Sequence, residues 1–389
     1  MSESNTVVFR DLLTTTKDGD WGKGEPQQGY APAHVIRGTD FAEVSLGRIA
    51  SVPLRYLAEK TVHRRLLRAD DILIETAGGS RDRPTGRTVL ISQEVLDAFS
   101  GDVTCASFAR FLRVDPVVAN PRYVYWYLQY LYARGDMWTH QVQHTGVARF
   151  QFTRFAETEE VPLPTRGEQD AIAALLGALD DKIAINERVA AAAMELGGAK
   201  FRLLHRSANE EVTVGDLAEL KYGKSLPVTR RIAGGIPVFG SGGISGSHDE
   251  SLVKGPGIII GRKGTVGAVY WSEVDFFPID TTFYVACRSS KASLEYMYFA
   301  LRGLGLEHMN SDSAVPGLNR GRAQSLSLRI PASEVMQNFT AEMRNLFQLQ
   351  RSCEEENRAL TTLRATLLPQ LMSGRLRVKD AEKIVEDRT

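Results

Sequence analysis

Residues 334–373 read EVMQNFTAEMRNLFQLQRSCEEENRALTTLRATLLPQLMS, and this stretch decides the fold. Mostly apolar residues recur along it at alternating spacings of four and three, the heptad pattern of a helix that packs along a helical partner. The predicted seam consists of Phe339, Met343, Leu346, Gln350, Cys353, Asn357, Leu360, Arg364, Leu367 and Leu371. We therefore predict one long helix, which Pro369 bends or ends because proline cannot continue the backbone hydrogen-bond ladder.

A second stretch of the same kind, residues 168–205, reads EQDAIAALLGALDDKIAINERVAAAAMELGGAKFRLLH. Its predicted seam consists of Ile172, Leu175, Leu179, Lys182, Asn186, Val189, Ala193 and Leu196. Gly197-Gly198 predicts a kink or the end of its regular part. Asparagine stands near the middle of both seams. Asn186 and Asn357 either face each other, which would fix the register at a cost in stability, or point to solvent.

The two helical stretches are parts of a repeat. Gln169 and Gln337 head the two runs and are 168 positions apart, and a proline-bearing segment precedes each run, at 161–164 (VPLP) and 328–331 (LRIP). A repeat of this length indicates a duplicated domain rather than a solenoid unit. The predicted order is a first domain (1–163), a first long helix (164–205), a second domain (206–331), a second long helix (332–375) and a C-terminal tail (376–389).

The segments before the two long helices differ from them in composition and in the pattern of apolar residues. Short β-branched runs separated by Gly, Pro, Asn and Asp are typical of strands. These runs are residues 71–75, 88–92, 257–261 and 283–287, and further helices are predicted over 121–133 and 293–303. The predicted fold class is therefore mixed α/β, with two globular domains of similar fold, each followed by a long helix.

The composition excludes several classes of protein. Lys and Arg (47) balance Asp and Glu (47) among the 389 residues, so bulk positive charge cannot hold this chain on nucleic acid, although local basic patches can. Cys105, Cys287 and Cys353 are too far apart for a CxxC metal site and too few for a disulfide framework. No stretch approaches the roughly 20 apolar residues of a membrane helix, and the N-terminus lacks a signal core. We expect a cytoplasmic protein without membrane association.

The sequence offers no defensible catalytic, metal or cofactor site. Residues 223–225 (GKS) resemble the end of a phosphate-binding loop, but Ala218 stands where that motif needs glycine. Residues 120–123 (NPRY) resemble the Asn-Pro-Pro-Tyr motif of amino-methyltransferases, but an arginine interrupts it. His140 and His144 are four residues apart without a third ligand at metal spacing. We therefore predict no catalytic residue and no metal site.

Two glycine loops that follow predicted strands carry the repeated chemistry. Glycine lets the backbone approach a phosphate closely, while Arg and Lys supply charge and Arg also a fork for guanine edges. These loops are either DNA-contact loops or solvated turns. The predicted contact residues are Arg81, Arg83 and Arg87 in the first domain and Arg262, Lys263 and Thr265 in the second.

A second repeated segment, at residues 144–151 and 313–320, precedes the proline-bearing segments at 161–164 and 328–331. Its polar side chains either contact DNA, where amides can read adenine, or cap the following turn. The candidates here are His144, Thr145, Arg149, Gln151, Asn319 and Arg320. Further candidates in the second domain are Lys221, Lys224, Ser241 and Lys254.

With these features, the chain resembles the specificity subunits of type I restriction–modification systems. The resemblance rests on residues 161–189, 236–246, 257–271, 314–319 and 367–376, and on the duplicated order of domain and helix. It departs from the family pattern at Ala148-Arg149, where a Pro-Gly-like turn is usual, and in the longer first glycine loop.

The resemblance implies two target-recognition domains that each read one half of a split double-stranded DNA sequence. It also implies that the two helices pack as an antiparallel coiled coil that spaces the half-sites and that the chain is not an enzyme. A helix of about 40 residues would be ~60 Å long, more than one DNA turn of roughly 34–36 Å, so inserting or deleting a turn should change the gap. The helix-pair or partner interface would consist of Ile172, Leu179, Asn186, Val189, Phe339, Leu346, Asn357, Leu360 and Leu367.

The resemblance further implies partner subunits. Two methyltransferase subunits, which bind S-adenosylmethionine, would dock on the helices; whether restriction subunits, which use ATP and magnesium, join them stays open. Two other functions stay open as well: a helical scaffold that binds proteins only, and a DNA-modifying enzyme in its own right.

Overall fold

A computed structural model of the chain describes residues 5–80, 82–144, 147–309 and 317–387. The chain forms two compact units, the first from Met1–Glu187 with Glu356–Thr389 and the second from Arg188–Glu355. The predicted domains stopped at the long helices, whereas the compact units each include half of both helices. The first unit is therefore built from both ends of the chain.

The first unit contains twelve strands among its described residues, and five α-helices precede its first long helix. Its strands are β1 (Asn5–Val8), β2 (Leu13–Asp18), β3 (Tyr30–Ile36), β4 (Leu54–Ala58), β5 (Asp71–Glu75), β6 (Ala77–Gly78), β7 (Thr88–Ile91), β8 (Val103–Cys105), β9 (Ala109–Val114), β10 (Gln141–His144), β11 (Val147–Phe150) and β12 (Glu160–Leu163). Its helices are α1 (Phe41–Ser45), α2 (Glu59–Arg65), α3 (Gln93–Asp97), α4 (Pro121–Arg134) and α5 (Phe152–Thr158), followed by the first half of α6 (Arg166–Ser207).

The second unit starts within α6. Its strands are β13 (Glu210–Thr213), β14 (Ala218–Tyr222), β15 (Ile236–Gly240), β16 (Gly243–His248), β17 (Gly257–Gly261), β18 (Val269–Ser272), β19 (Phe277–Pro278), β20 (Thr282–Cys287) and β21 (Ser327–Ile330). Its helices are α7 (Val214–Leu217), α8 (Leu294–Gly303), α9 (Arg320–Gln324) and the first half of α10 (Ser333–Met372). The chain then returns to the first unit and ends its described part in α11 (Val378–Glu386).

The two units repeat one topology. The order β2-β9-β5-β7 in the first unit corresponds to β14-β20-β17-β18 in the second, and both sheets are antiparallel. The order β4-β3-β8 corresponds to β16-β15-β19, each with one parallel pair. The exit strands β12 and β21 pair with the entry strands β1 and β13. The predicted fold class, two similar α/β domains each followed by a long helix, is confirmed.

Local sequence explains the central elements. Every residue of β5 and of β17 is buried, as expected for β-branched runs in the middle of a sheet. In α4, Pro121 occupies the first turn and Asn120 Oδ1 accepts hydrogen bonds from the backbone amides of Arg122 (2.8 Å) and Tyr123 (3.2 Å). The Asn-Pro-Arg-Tyr segment is therefore a helix start.

The long helices pack antiparallel within each unit. In the first unit, Asn186 of α6 contacts Asn357 of α10, and Asp180 forms an ion pair with Arg364 further along. In the second unit, Lys200 of α6 pairs with Glu342 of α10 at 2.8 Å. In both units, later residues of α6 therefore meet earlier residues of α10.

The structure corrects three of the eight predicted α6 seam members, since Lys182, Val189 and Leu196 are exposed, whereas Leu175 is half-buried against the first core. The α6 residues that pack inward are Ile172, Leu176, Leu179, Ile183, Asn186, Ala190, Ala193 and Gly197, which are buried or half-buried. Val189 and Leu196, which the heptad assignment placed in the seam, are instead 37% and 48% exposed. Gly197 rather than Leu196 faces the second core, because a Cβ on Gly197 would lie 2.7 Å from Cζ of Phe299. All ten predicted seam residues of α10 are buried or half-buried.

The two long helices run close to the predicted 164–205 and 332–375. Helix α6 continues through Gly197-Gly198 to Ser207, and α10 continues three residues past Pro369. The predicted tail contains α11, whose Ala381 is fully buried in the first unit. No helix in the described part of the chain has the length and apolar character needed to span a bilayer.

Candidate nucleic-acid interface

The glycine loop of the second unit is a tight turn directly after β17. A Cβ on Gly261 would lie 2.1 Å from the carbonyl oxygen of Thr265, so only glycine fits there. The backbone amides of Arg262 and Lys263 donate to the carbonyl oxygen of Thr281 at 2.9 and 3.2 Å. The loop is thus held by its backbone, which leaves the side chains of Lys263 and Thr265 exposed.

The segment before the exit strand packs against this loop. The backbone amide of Leu318 donates to the carbonyl oxygen of Arg262 at 2.9 Å. Asn319 then caps α9, since its Oδ1 accepts a hydrogen bond from the amide of Arg322 at 3.0 Å. Arg320 follows with an exposed side chain. The two spots that the sequence singles out in the second domain are therefore neighbours.

An aromatic ring that the sequence reasoning missed lies between these two spots. The guanidinium carbons of Arg262 and Arg320 lie 5.2 and 5.3 Å from the centroid of the Tyr222 ring, at the end of β14. Tyr222 is 50% exposed and packs on Phe283, with ring centroids 4.9 Å apart. Tyr222 directly precedes the Gly-Lys-Ser segment at 223–225. An aromatic residue next to a basic segment is the sequence signal that could have identified it. We call Lys221, Tyr222, Arg262, Lys263 and Arg320 the Tyr222 surface.

Ser241, Lys224 and Lys254 have distinct surroundings. Ser241 lies against the glycine loop, because a Cβ on Gly264 would come within 2.9 Å of its Oγ. Lys224 is exposed, and its backbone amide donates to the Pro278 carbonyl oxygen at 3.1 Å. Lys254 donates to Asp275 at 2.7 Å, which lowers the pKa of that carboxyl.

The first unit brings its two predicted spots together in the same way. Strand β6 of the glycine loop pairs with β11, placing Ala77 opposite Arg149 and Gly78 opposite Ala148. Arg149 and Gln151 are exposed, and the side chain of Gln151 does not cap α5. Arg83 is also exposed. The loop and the segment before the exit are neighbours in both units.

Arg87 has a different environment from the other candidates. Its Nε and Nη2 donate to both carboxylate oxygens of the buried Glu75 at 2.9 and 2.7 Å, and Nη2 also donates to the Gly38 carbonyl oxygen at 2.8 Å. This hydrogen bonding raises the pKa of Arg87. Arg87 is therefore already committed to holding the base of its loop.

Three predicted residues lie wholly or partly outside the described residues. Arg81 and Thr145 belong to the undescribed part, and only the backbone of His144, the last residue of β10, is described. Among residues 5–80, 82–144, 147–309 and 317–387, no three His, Cys, Asp or Glu side chains form a group that could hold a metal ion.

The chain thus has two similar units, each of which joins a basic glycine loop to the segment before its exit strand. Residues 207–358 match the family model for the type I restriction modification DNA specificity domain. The resemblance inferred from the sequence is therefore confirmed, and the matched segment includes the whole Tyr222 surface.

Two known proteins extend this comparison. The EcoprrI type I restriction enzyme specificity subunit of Escherichia coli is 27% identical to this chain over 128 residues, which are 31% of this chain and 32% of that relative. The match thus spans about a third of the relative's length. The crystal structure of the type I restriction–modification S subunit from M. genitalium aligns with 95% of this chain and 97% of its own, at a TM-score of 0.64 and 18% identity. This likeness shows that the two chains share a fold.

Proposed function

We propose that this chain is the DNA-recognition subunit of a type I restriction–modification complex, acting on chromosomal DNA in the cytoplasm. Each unit would contact one part of a bipartite double-stranded target. One observation carries the proposal: in both units the fold joins a basic glycine loop to the segment before the exit strand. The two segments are distant in sequence, yet the fold brings them together in both units. Two such surfaces in one chain favour a ligand with two similar parts, such as two DNA half-sites.

The charge distribution supports contact with DNA through small surfaces. The whole chain has a formal net charge of zero, but the Tyr222 surface combines four cationic side chains with one exposed ring. Neutralising a few phosphates gives weak, salt-dependent binding. The chain alone should therefore hold DNA more weakly than a complex with partner subunits that enclose the duplex.

Helix α6 offers a surface for those partners. In its second-unit half, Val189, Leu196 and Leu203 are 37%, 48% and 66% exposed. Their spacing of seven places them on one face of the helix, apart from the buried face that contains Ala193 and Gly197. Exposed apolar stripes of this kind are typical of interaction sites. A methyltransferase subunit would dock there with a helix of its own.

In this proposal the chemistry belongs to the partners. The methyltransferase subunits would bind S-adenosylmethionine, and restriction subunits, if they join, would use ATP and magnesium. This chain would supply sequence recognition and the scaffold, without a catalytic residue.

Methylome sequencing tests the recognition role. Deleting the chain from its host should abolish methylation at one bipartite motif and leave other motifs methylated. Replacing Arg262 and Lys263 with Gln should weaken binding of the purified complex to that motif in mobility-shift assays. An unchanged methylome, together with unchanged affinity of this double variant, would favour the protein-only scaffold. Methyl transfer or cleavage by the isolated chain would instead indicate an enzyme.

Co-purification tests the docking role. Leu196→Glu and Leu203→Glu should reduce capture of a co-expressed methyltransferase subunit. Leu349→Glu is the matched control, because Leu349 is 42% exposed in the same unit but lies on α10, outside the stripe. Equal capture by all three variants would refute docking on this face.

A further inference from the structure

The two units differ in whether carboxylates neutralise the arginines discussed below. In the first unit, Arg87 is bound by Glu75, and Arg110 donates to Asp18 through Nε and Nη2 at 2.9 and 2.6 Å. The guanidinium of Arg110 also lies over the Phe152 ring at 4.5 Å. Both arginines thus already have a carboxylate partner.

The second unit lacks both of these carboxylates. Tyr222, which ends β14, corresponds to Asp18, which ends β2. Gly261, which ends β17, corresponds to Glu75, which ends β5. The same topology therefore places a ring and a glycine where the first unit has its two anions.

The arginines of the second unit are also placed differently. Arg320 is the first residue of α9, as Phe152 is of α5, so a cation replaces the ring at this position. Phe283 in turn faces Tyr222 across the sheet, where the first unit has Arg110 facing Asp18. In the second unit an aromatic ring (Phe283) thus stands where the first unit has a cation (Arg110), and a cation (Arg320) stands where it has a ring (Phe152). The position of the carboxylate Asp18 is taken by Tyr222.

Two guanidinium groups consequently lie beside one aromatic ring. Among the described residues, neither Arg262 nor Arg320 forms an ion pair with a carboxylate. Arg262 donates from Nη2 to the carbonyl oxygen of Asp280 at 2.9 Å, and its buried Nε has no hydrogen-bond partner in the described part of the chain. Two like charges beside one ring repel each other, and a bound anion would relieve this repulsion.

We propose that Arg262, Arg320 and Tyr222 form a site for one backbone phosphate of DNA. The inference rests on the proposed function and specifies what this part of the surface does. A guanidinium matches phosphate geometry and stacks on aromatic rings, and contacts to phosphate position the duplex without reading its sequence. Because Arg110 of the first unit is already neutralised by Asp18, its removal should change the salt-dependent affinity less than removal of Arg320.

The salt dependence of DNA binding tests this site. The probe is a fluorescein-labelled duplex of about 30 bp and mixed sequence, titrated with the full chain by fluorescence anisotropy from about 50 to about 200 mM NaCl. Arg320→Gln should reduce the slope of log affinity against log salt by about 0.9, the value for one phosphate, and weaken binding roughly five-fold near 0.15 M. Tyr222→Phe, which keeps the ring, should leave the slope unchanged.

Two matched controls separate the site from general charge. Arg322→Gln removes the same charge from an exposed position on α9 that is not on the Tyr222 ring, and should change the slope less. Arg110→Gln removes an arginine that Asp18 already neutralises, and should leave the slope near that of the unaltered chain. Thermal melting confirms that each variant is folded.

The outcomes distinguish the inference from the proposed function. If the unaltered chain binds the duplex with a clear salt slope but Arg320→Gln and Arg322→Gln change it equally, the phosphate site is refuted and DNA recognition stands. A shift in sequence preference in Arg320→Gln, with the slope unchanged, would make Arg320 a base reader and also overturns the site. If the unaltered chain, alone and with its methyltransferase partner, shows no salt-dependent binding, the proposed function fails.

Discussion

The side-chain amide of Asn186 on α6 donates a hydrogen bond to the side-chain oxygen of Asn357 on α10, 2.9 Å away. Asn186 is 3% exposed and also donates to Glu356 at 2.7 Å, while its own oxygen accepts from Lys182 at 3.2 Å. A polar pair in an apolar seam is satisfied only in one alignment of the helices. The pair therefore fixes how the two helices align within the first unit.

Replacing Asn186 with Leu should lower the free energy of unfolding by about 1–3 kcal/mol, because Asn357 Oδ1 and Glu356 each lose the hydrogen bond that the Asn186 amide donates. The double variant Asn186→Leu with Asn357→Leu should lose less than the sum of the two single variants, since both seam positions become apolar. Urea unfolding followed by circular dichroism measures this coupling. Strictly additive losses would show that the hydrogen bond does not couple the two residues.

Neighbouring glycines of α6 should respond in opposite directions to alanine. A Cβ on Gly197 would lie 2.7 Å from Phe299 Cζ and 3.2 Å from Met343 Sδ, so Gly197→Ala should cost about 1–3 kcal/mol through overpacking. A Cβ on Gly198 would meet only the end of Arg202 at 3.4 Å, so Gly198→Ala should gain about 0.5–1 kcal/mol of helix propensity. Thermal melting compares the two, and equal shifts would contradict the packing shown here.

Glu75→Gln should destabilise the first unit by about 3 kcal/mol, because the fork of Arg87 would lose its buried anion. Arg83→Gln in the same loop is the control and should change stability by no more than about 0.5 kcal/mol, since Arg83 is exposed. Chemical denaturation measures both. If Arg83→Gln proves as costly as Glu75→Gln, the loop is not held by the Glu75–Arg87 pair.

His140 should make the first unit sensitive to mild acid. Burial beside Phe155, with ring centroids 5.1 Å apart, lowers the pKa of His140 below its ordinary value of 6.5. The unfolded chain therefore binds a proton at a higher pH than the folded chain, so this stability is present above about pH 6.5 and is lost as the pH falls toward the folded pKa. As the pH is lowered from about 7.5 to about 5.5, the melting temperature of His140→Leu should fall less than that of the unaltered chain.

The control for this pH experiment is His63→Leu, which removes an exposed histidine on α2. Its loss of melting temperature should match that of the unaltered chain. If His140→Leu follows the same curve, then His140 does not carry the acid sensitivity.

The elements that local chemistry dictates were predictable from the sequence. Strands β5 and β17 were found because continuous β-branched runs suit buried strands, and α4 because Asn120 and Pro121 provide its cap and first turn. The duplication was visible in the spacing of the two helical runs. The strand and cap signals lie within a few adjacent residues, whereas the duplication needs the two long runs to be compared.

Features that depend on distant neighbours could not be predicted. The sequence alone does not decide whether Leu196 or Gly197 faces the core. The ring of Phe299, on another helix, lies against Gly197 and leaves no room for a side chain there. The Tyr222 surface is assembled from three segments that are far apart in sequence. The commitment of Arg87 to Glu75 likewise appears only once β5 is in place.

The return of the chain to the first unit has a consequence for synthesis on the ribosome. The core of the first unit includes Leu360, Leu363 and Leu367 of α10, whereas residues 188–355 contain all of the second unit. At about 5–20 residues per second, these core residues follow the first 187 by roughly 9 to 36 seconds. The unit that is translated first is therefore completed last, and its nascent form waits for these three leucines while the later unit can already fold.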